Sequence, residues 1–254
     1  MDDVGTQAAV DRGARASRDP SRGDATRQQI KLTARRLFAT QGLDSVSIRK
    51  IVREAGQKNA GSVNYYFQSK EALIRELILD VADLLEAERN RLVDELEASA
   101  RPISVRDLVS ILIHVPHVDT NGAGLDEHAL RFLNMVMIDH RDLLFDALQG
   151  GADRGTRRCF AHLRRLLSDL PPAIVQQRLM LLMLHLFAVC SSREAARAQP
   201  DVWRSLWGQP AARENAIDTI TGMICCPVSP ETLAAMRPPS PSTAAKRPRR
   251  QSVL

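Results

Sequence analysis

Ten consecutive residues gather the polar chemistry of this chain: Lys58-Asn59-Ala60-Gly61-Ser62-Val63-Asn64-Tyr65-Tyr66-Phe67. Val63 and Phe67 recur at helical spacing as residues to bury, and Lys, Asn, Ser and Tyr surround them. Such groups donate to phosphate oxygens or read base edges, while Ala60 and Gly61 leave room for close approach to a duplex. The plainer reading is a small capping helix with a polar solvent face. Other candidate sets are less complete. His114-x-x-His117, followed by His128 and His140, is interrupted by Pro116 and lacks a Cys or carboxylate to finish a metal set, so no metal is expected. Asn121-Gly122-Ala123-Gly124 has neither the third glycine nor the preceding strand of a dinucleotide fingerprint, and no cofactor is expected. Glu127, Asp139 and Asp142 stand without a nucleophile motif, which argues against an enzyme.

The balance of charge singles out the same end of the chain. Residues 24–80 hold ten Lys/Arg against six Asp/Glu and 227–254 hold five against one, whereas 81–226 hold sixteen against nineteen. A polyanion partner for the basic end fits this asymmetry, although a solvated face gives the same pattern. The strongest apolar run, Leu179 to Cys190, is interrupted by His185 and falls short of the roughly 20 residues that cross a bilayer, so no membrane partner is expected. The N-terminal stretch lacks the basic-then-apolar order of a secretory signal, which places the expected location in the cytoplasm. Cys159, Cys190, Cys225 and Cys226 form no C-x-x-C pair and are expected as buried or half-buried thiols.

An all-α fold should position these groups, because apolar residues recur at three and four and alternating strand patterns are missing. Helices are expected over Thr26–Thr40, Ile48–Glu54 and about Ala60–Tyr65, with Gly42 stopping the first, Ser47 capping the second and Ala55-Gly56 turning out of it. A longer helix from about Lys70 to Ala98 would run roughly 40 Å, enough to join two domains. Further helices are expected over 105–114, 127–138, 140–149, 156–170, 173–197 and 213–225. The core of the 173–197 helix is apolar nearly all round, which suggests one face on its own core and the other on a second copy of the chain. Leu179, Leu182, Met183 and Leu186, with Ile217, Ile220 and Ile224 of the last helix, are the expected interface. Residues 1–23 and the Pro-rich, basic 227–254 are expected as disordered tails, flanking domains at 24–80 and 81–226.

The stretch from Thr26-Arg27-Gln28-Gln29-Ile30 through Leu37-Phe38-Ala39-Thr40-Gln41-Gly42, Ser47-Ile48-Arg49-Lys50-Ile51, Ala55-Gly56 and Tyr65-Tyr66-Phe67-Gln68-Ser69-Lys70-Glu71-Ala72-Leu73 resembles the N-terminal DNA-binding domain of TetR/AcrR-type transcriptional regulators. The likeness covers about 26 to 80, and the remainder is similar only in pattern. Two departures stand out: an extra residue within Gln57–Gly61, and Val52 where Ala is frequent. The resemblance implies a helix-turn-helix with its second helix in the major groove. It further implies that Ser62 and Asn64, with Asn59, face base edges, that Tyr65, Tyr66 and Lys70 hold phosphates, and that Ser47 and Arg49 reach the flanking strand.

What it implies overall is a homodimeric, sequence-specific regulator, a repressor released from a palindromic double-stranded DNA operator by a small-molecule ligand. In that mechanism a ligand in the middle domain tilts the long helix and changes the spacing of the two recognition helices. The alternative is a ligand-independent DNA-organising protein without strong sequence preference.

Overall fold

In the computed structural model, residues 22–57, 66–116, 125–197 and 202–236 are described. Among them are eleven helices and no strand. They fall into two compact units, Met1–Leu77 and Ile78–Leu254, a boundary slightly before the one expected at 80.

The first unit contains α1 (Arg22–Gln41), α2 (Ile48–Glu54) and the opening turns of α3 (Lys70–Ala98). Ile30, Ala34, Leu37 and Phe38 follow one another at helical spacing and are fully buried, as are Ile51 of α2 and Leu73 and Leu77 of α3. Local chemistry sets the helix ends. The Gly42 amide closes on the Phe38 carbonyl at 2.9 Å with φ +82°, a left-handed stop that a side chain would strain. Ser47, with extended backbone, accepts from the Lys50 amide through its Oγ at 3.3 Å and starts α2. At the other end of α2, Gly56 adopts φ +70°, its N–H meets the Arg53 carbonyl at 3.1 Å, and the Gln57 N–H meets the Val52 carbonyl at 3.0 Å. These paired bonds are a Schellman motif, which turns the chain sharply out of the helix. The helix expected at Ala60–Tyr65, with Val63, lies outside the described residues, and Ile48 is only half-buried.

The second unit holds the rest of α3 and then α4 (Val105–Leu112), α5 (Ala129–Asp139), α6 (Arg141–Ala147), α7 (Arg154–Leu166), α8 (Pro172–Arg197), α9 (Val202–Trp207), α10 (Ala212–Cys225) and α11 (Pro230–Ala235). Helix α8 packs on α5, α9 and α10, and α4 packs on α7 and α10. By length and composition alone α8 could cross a membrane. Its inner face instead carries two buried charges that fix other helix ends. Arg178 donates to the Ile224 carbonyl at 2.9 Å, and Glu194 accepts from the Leu130 and Arg131 amides at 2.7 and 2.9 Å, near the start of α5.

That packing corrects the expected interface. Leu179, Leu182 and Leu186 of α8 and Ile217, Ile220 and Ile224 of α10 are all 5% exposed or less within the single chain, so they form its own core. Met183 is half-buried and lines a cavity. The apolar side chains that α8 leaves uncovered are Met180, Leu181 and Leu184. The helix is long enough for both faces to be apolar, and the spacing alone did not say which face the chain keeps.

Two short helices were not expected. Helix α11 lies inside the segment 227–254 expected to be disordered, where Ser229 Oγ accepts from the Thr232 amide at 3.2 Å and Pro230 sits at a first-turn position that needs no amide donor. Helix α9 is a six-residue segment whose pattern is too short to declare a period. Cys159 and Cys190 are buried, but Cys225 and Cys226 are exposed at the end of α10, contrary to expectation.

Candidate nucleic-acid interface and ligand cavity

In the first unit four cations, Arg27, Lys31, Arg36 and Arg75, are tied to acids. Arg27 and Lys31 both reach Glu76, at 2.6 and 2.7 Å, and the Arg27 guanidinium lies 5.0 Å from the centre of the Phe67 ring. Arg36 meets Glu54 at 2.7 Å, and this bond holds the Glu54 carboxyl below its ordinary range. Arg49 and Arg53 differ. They stand exposed and four residues apart on α2, and their side chains have no ion pair or hydrogen bond among the described residues. Two unpaired guanidinium groups one helical turn apart are donors suited to successive phosphates. Arg53 was missed in the sequence, although its spacing from Arg49 was there to be read.

The other expected contacts separate into groups. Ser47 is exposed at the start of α2; its oxygen serves as the cap acceptor, which leaves the hydroxyl hydrogen to donate outward. Tyr66 is half-buried, its ring tilted against Phe67 with centroids 6.2 Å apart. Lys70 is the clear correction. Its ammonium donates to the Leu43 carbonyl at 2.6 Å and lies 5.8 Å from the centre of the Phe38 ring, so it ties the loop after α1 to the start of α3. A lysine beside a helix start reads as an anion binder in the sequence, but the loop carbonyl gets there first. Next to it, Ser69 Oγ accepts from the Ala72 amide at 3.0 Å, which explains the Ser-Lys-Glu-Ala-Leu run as a helix start. Asn59, Ser62, Asn64 and Tyr65 lie outside the described residues.

The second unit contains a cavity of about 290 Å³. Ile78, Leu85, Leu133, Met137, Leu144 and Leu179 are buried residues of its wall, while Phe145, Met180 and Arg164 are exposed at its mouth. A mostly apolar hollow with a few placed polar groups is the usual form of a small-molecule site. One side is organised by Glu86, which is 7% exposed. Its carboxylate accepts from the Thr156 hydroxyl at 2.6 Å, the Thr156 amide at 3.0 Å and Arg89 at 2.9 Å. It thereby satisfies one open amide in the first turn of α7. Gly155 is what lets that helix end approach: a Cβ there would stand 2.9 Å from Arg89 Cβ and 3.0 Å from Glu86 Oε2.

Burial also shifts two groups of the second unit, His114 and Cys159. His114 lies 3.3 Å from Glu88, and burial lowers its pKa. Burial pushes the Cys159 thiol up to about 12, so it stays protonated and unreactive. Among the described residues no three His, Cys, Asp or Glu side chains converge as a metal set.

Residues 32–77 match the family model described as bacterial regulatory proteins of the tetR family. Over 141 residues the chain is 26% identical to the HTH-type transcriptional regulator PksA of Bacillus subtilis (strain 168). That match takes in 54% of this chain and 63% of the relative, so it spans less than two thirds of the relative's length. A structure from Shewanella sp. PV-4, described as a tetR family transcription regulator, aligns with 78% of this chain and 96% of its own at a TM-score of 0.51 and 16% identity. Mycobacterium smegmatis AmtR aligns with 86% of this chain and 94% of its own at a TM-score of 0.50 and 18% identity. At those identities the two structures speak for the fold.

Proposed function

We propose that this chain, whose residues 32–77 match the tetR family model and which is similar to the regulator PksA, is a homodimeric repressor that leaves a palindromic DNA operator when a small molecule fills the second unit. The observation that carries the DNA part is the pair Arg49 and Arg53, unpaired on the exposed face of a helix that ends in the tight Ala55-Gly56 turn. The segment after that turn, with Asn59, Ser62, Asn64 and Tyr65, is the proposed base and phosphate reader. Tyr66 and Ser47 flank it.

The ligand part rests on the cavity, an apolar hollow whose wall includes Ile78, Ala82 and Leu85 of α3. Helix α3 is continuous from Lys70 to Ala98 and carries the chain across the boundary at 77. A ligand pressing on that wall would act on the helix that leads into the DNA-binding unit, with a coupling of about 1–3 kcal/mol typical of such switches. The proposed place of work is the bacterial cytoplasm, at the chromosome.

The dimer is proposed through the outer faces of α8 and α10. Leu181 and Leu184 are 52% and 40% exposed, and the neighbouring face of α10 offers the small exposed residues Asn215, Thr219 and Gly222, which permit close approach of a second copy. Leu184→Asp should give a folded monomer, seen as a halved mass in analytical ultracentrifugation with unchanged helical circular dichroism. A persisting dimer removes this face from the interface.

The functional test is selection of bound sequences from a random duplex pool at near-physiological salt. Enrichment of a two-fold symmetric motif, with half-sites about 10 base pairs or a multiple apart, is the expected result. Salt-sensitive binding without any enriched sequence would favour the DNA-organising alternative and overturn the operator reading.

A further inference from the structure

The lining of the cavity in the second unit has a charge imbalance. Three cations and two anions contribute to it: Arg89, Arg157 and Arg164 against Glu86 and Asp153. Arg89 is paired with Glu86 at 2.9 Å, and Arg157 with Asp153 at 2.8 Å. Arg164 remains. Its guanidinium lies 6.0 Å from the centre of the Phe160 ring, another lining residue, and it has no ion pair or hydrogen bond among the described residues. The surplus is therefore one positive charge, held at the wet end of an apolar hollow.

A second group leans the same way. Arg89 Nε is buried and has no acceptor among the described residues, although the rest of that guanidinium bonds Glu86, Thr156 and the Leu112 carbonyl. A buried donor left open is unfavourable, and an oxygen acceptor relieves it. Asp153 Oδ1 is also buried without a hydrogen bond, but Arg157 Nε lies 2.8 Å from it and balances its charge. The groups left with neither a charge partner nor an acceptor are donors, Arg164 and Arg89 Nε, and a cationic ligand would meet repulsion at the mouth.

We propose that this cavity takes a lipophilic carboxylate, its apolar body on the Leu85, Leu133 and Leu179 wall and its carboxylate at Arg164. The proposal rests on reading the cavity as the ligand site and adds the chemical class. The volume, about 290 Å³, is at the small end of the range for ligand pockets. A medium-length chain therefore suits it better than a long acyl group.

The test is isothermal titration of the full-length protein, without DNA, with decanoate, decanol and decyltrimethylammonium, each kept below its aggregation threshold. Decanoate should bind one per chain and about tenfold more tightly than decanol, with the ammonium weakest. In Arg164→Gln the decanoate advantage should fall to within about twofold while decanol affinity stays unchanged. Met183→Trp, which fills the hollow, should abolish binding of all three; retained helicity and thermal midpoint in both variants exclude unfolding as the cause. No decanoate binding, equal or tighter binding of decanol or the ammonium, an undiminished advantage in Arg164→Gln, or full binding in Met183→Trp each overturns the proposal. Release of duplex DNA is measured separately. Decanoate that binds as described without loosening DNA leaves the class of ligand standing and sinks the release mechanism.

Discussion

On α2 of the first unit, Arg49 and Arg53 stand in solvent with no ion pair or hydrogen bond among the described residues, whereas in the second unit Glu86, Arg178 and Glu194 are each at least nine-tenths buried and hydrogen-bonded to other helices. The exposed pair is inexpensive to hold and free to meet an outside anion. The buried groups have lost their hydration and are held by helix ends, Glu86 and Glu194 by more than one donor and Arg178 by the Ile224 carbonyl. A charge in this chain therefore reports its task by its partners: exposed without an ion pair for a ligand, buried and hydrogen-bonded for architecture. Lys70 crosses that line, since it lies beside the expected DNA surface yet is engaged by the Leu43 carbonyl.

This contrast can be broken at its strongest point first. Glu86→Ala removes the acceptor for Arg89 and for the start of α7 and leaves the half-buried Arg89 guanidinium without its carboxylate, so it should cost about 3 kcal/mol in urea unfolding. A loss below about 1 kcal/mol would show that Glu86 is not organising the second unit.

Glu194 gives a smaller, pH-dependent effect. Burial pushes its carboxyl up from 4.5 to about 7, against the two amides that favour the charged form. The folded chain thus keeps a proton that the unfolded chain releases near 4.5. Its stabilising contribution is complete below pH 4.5, is lost as pH rises to 7, and is level above, a change of about 3 kcal/mol at most. Glu194→Gln should flatten the stability profile of the full chain across that window. An unchanged slope would place the titration elsewhere.

Lys70→Ala tests the boundary case. Loss of the Leu43 tie should lower stability by about 1 kcal/mol, while the salt dependence of DNA binding stays as in the parent. A decrease of about one unit in the slope of log affinity against log salt would return Lys70 to the phosphate contacts.

Much of this was readable in advance, and the limits have physical causes. Helix ends were legible because Gly42, Ser47 and Gly56 act through their own backbone or side chain within a few residues. The all-helical fold followed from spacing repeated over long stretches. Which face of α8 the chain keeps was not legible, since Leu179, Leu181, Leu182 and Leu184 are equally apolar and the helices packed on it, α5, α9 and α10, choose among them. The role of Lys70 was hidden for a similar reason: its partner, a carbonyl 27 residues away, leaves no mark in composition. Glu86 and Thr156 are 70 residues apart, so nothing local announces the buried cap that shapes the cavity.

The most direct test of the central claim is the salt dependence of duplex binding by the full-length protein and its Arg49→Ala/Arg53→Ala variant. If these two side chains meet phosphates, the variant should bind every duplex more weakly and its slope should be shallower by about two units per DNA-binding unit engaged. An unchanged slope with unchanged affinity would contradict the placement of the DNA interface on this face of α2.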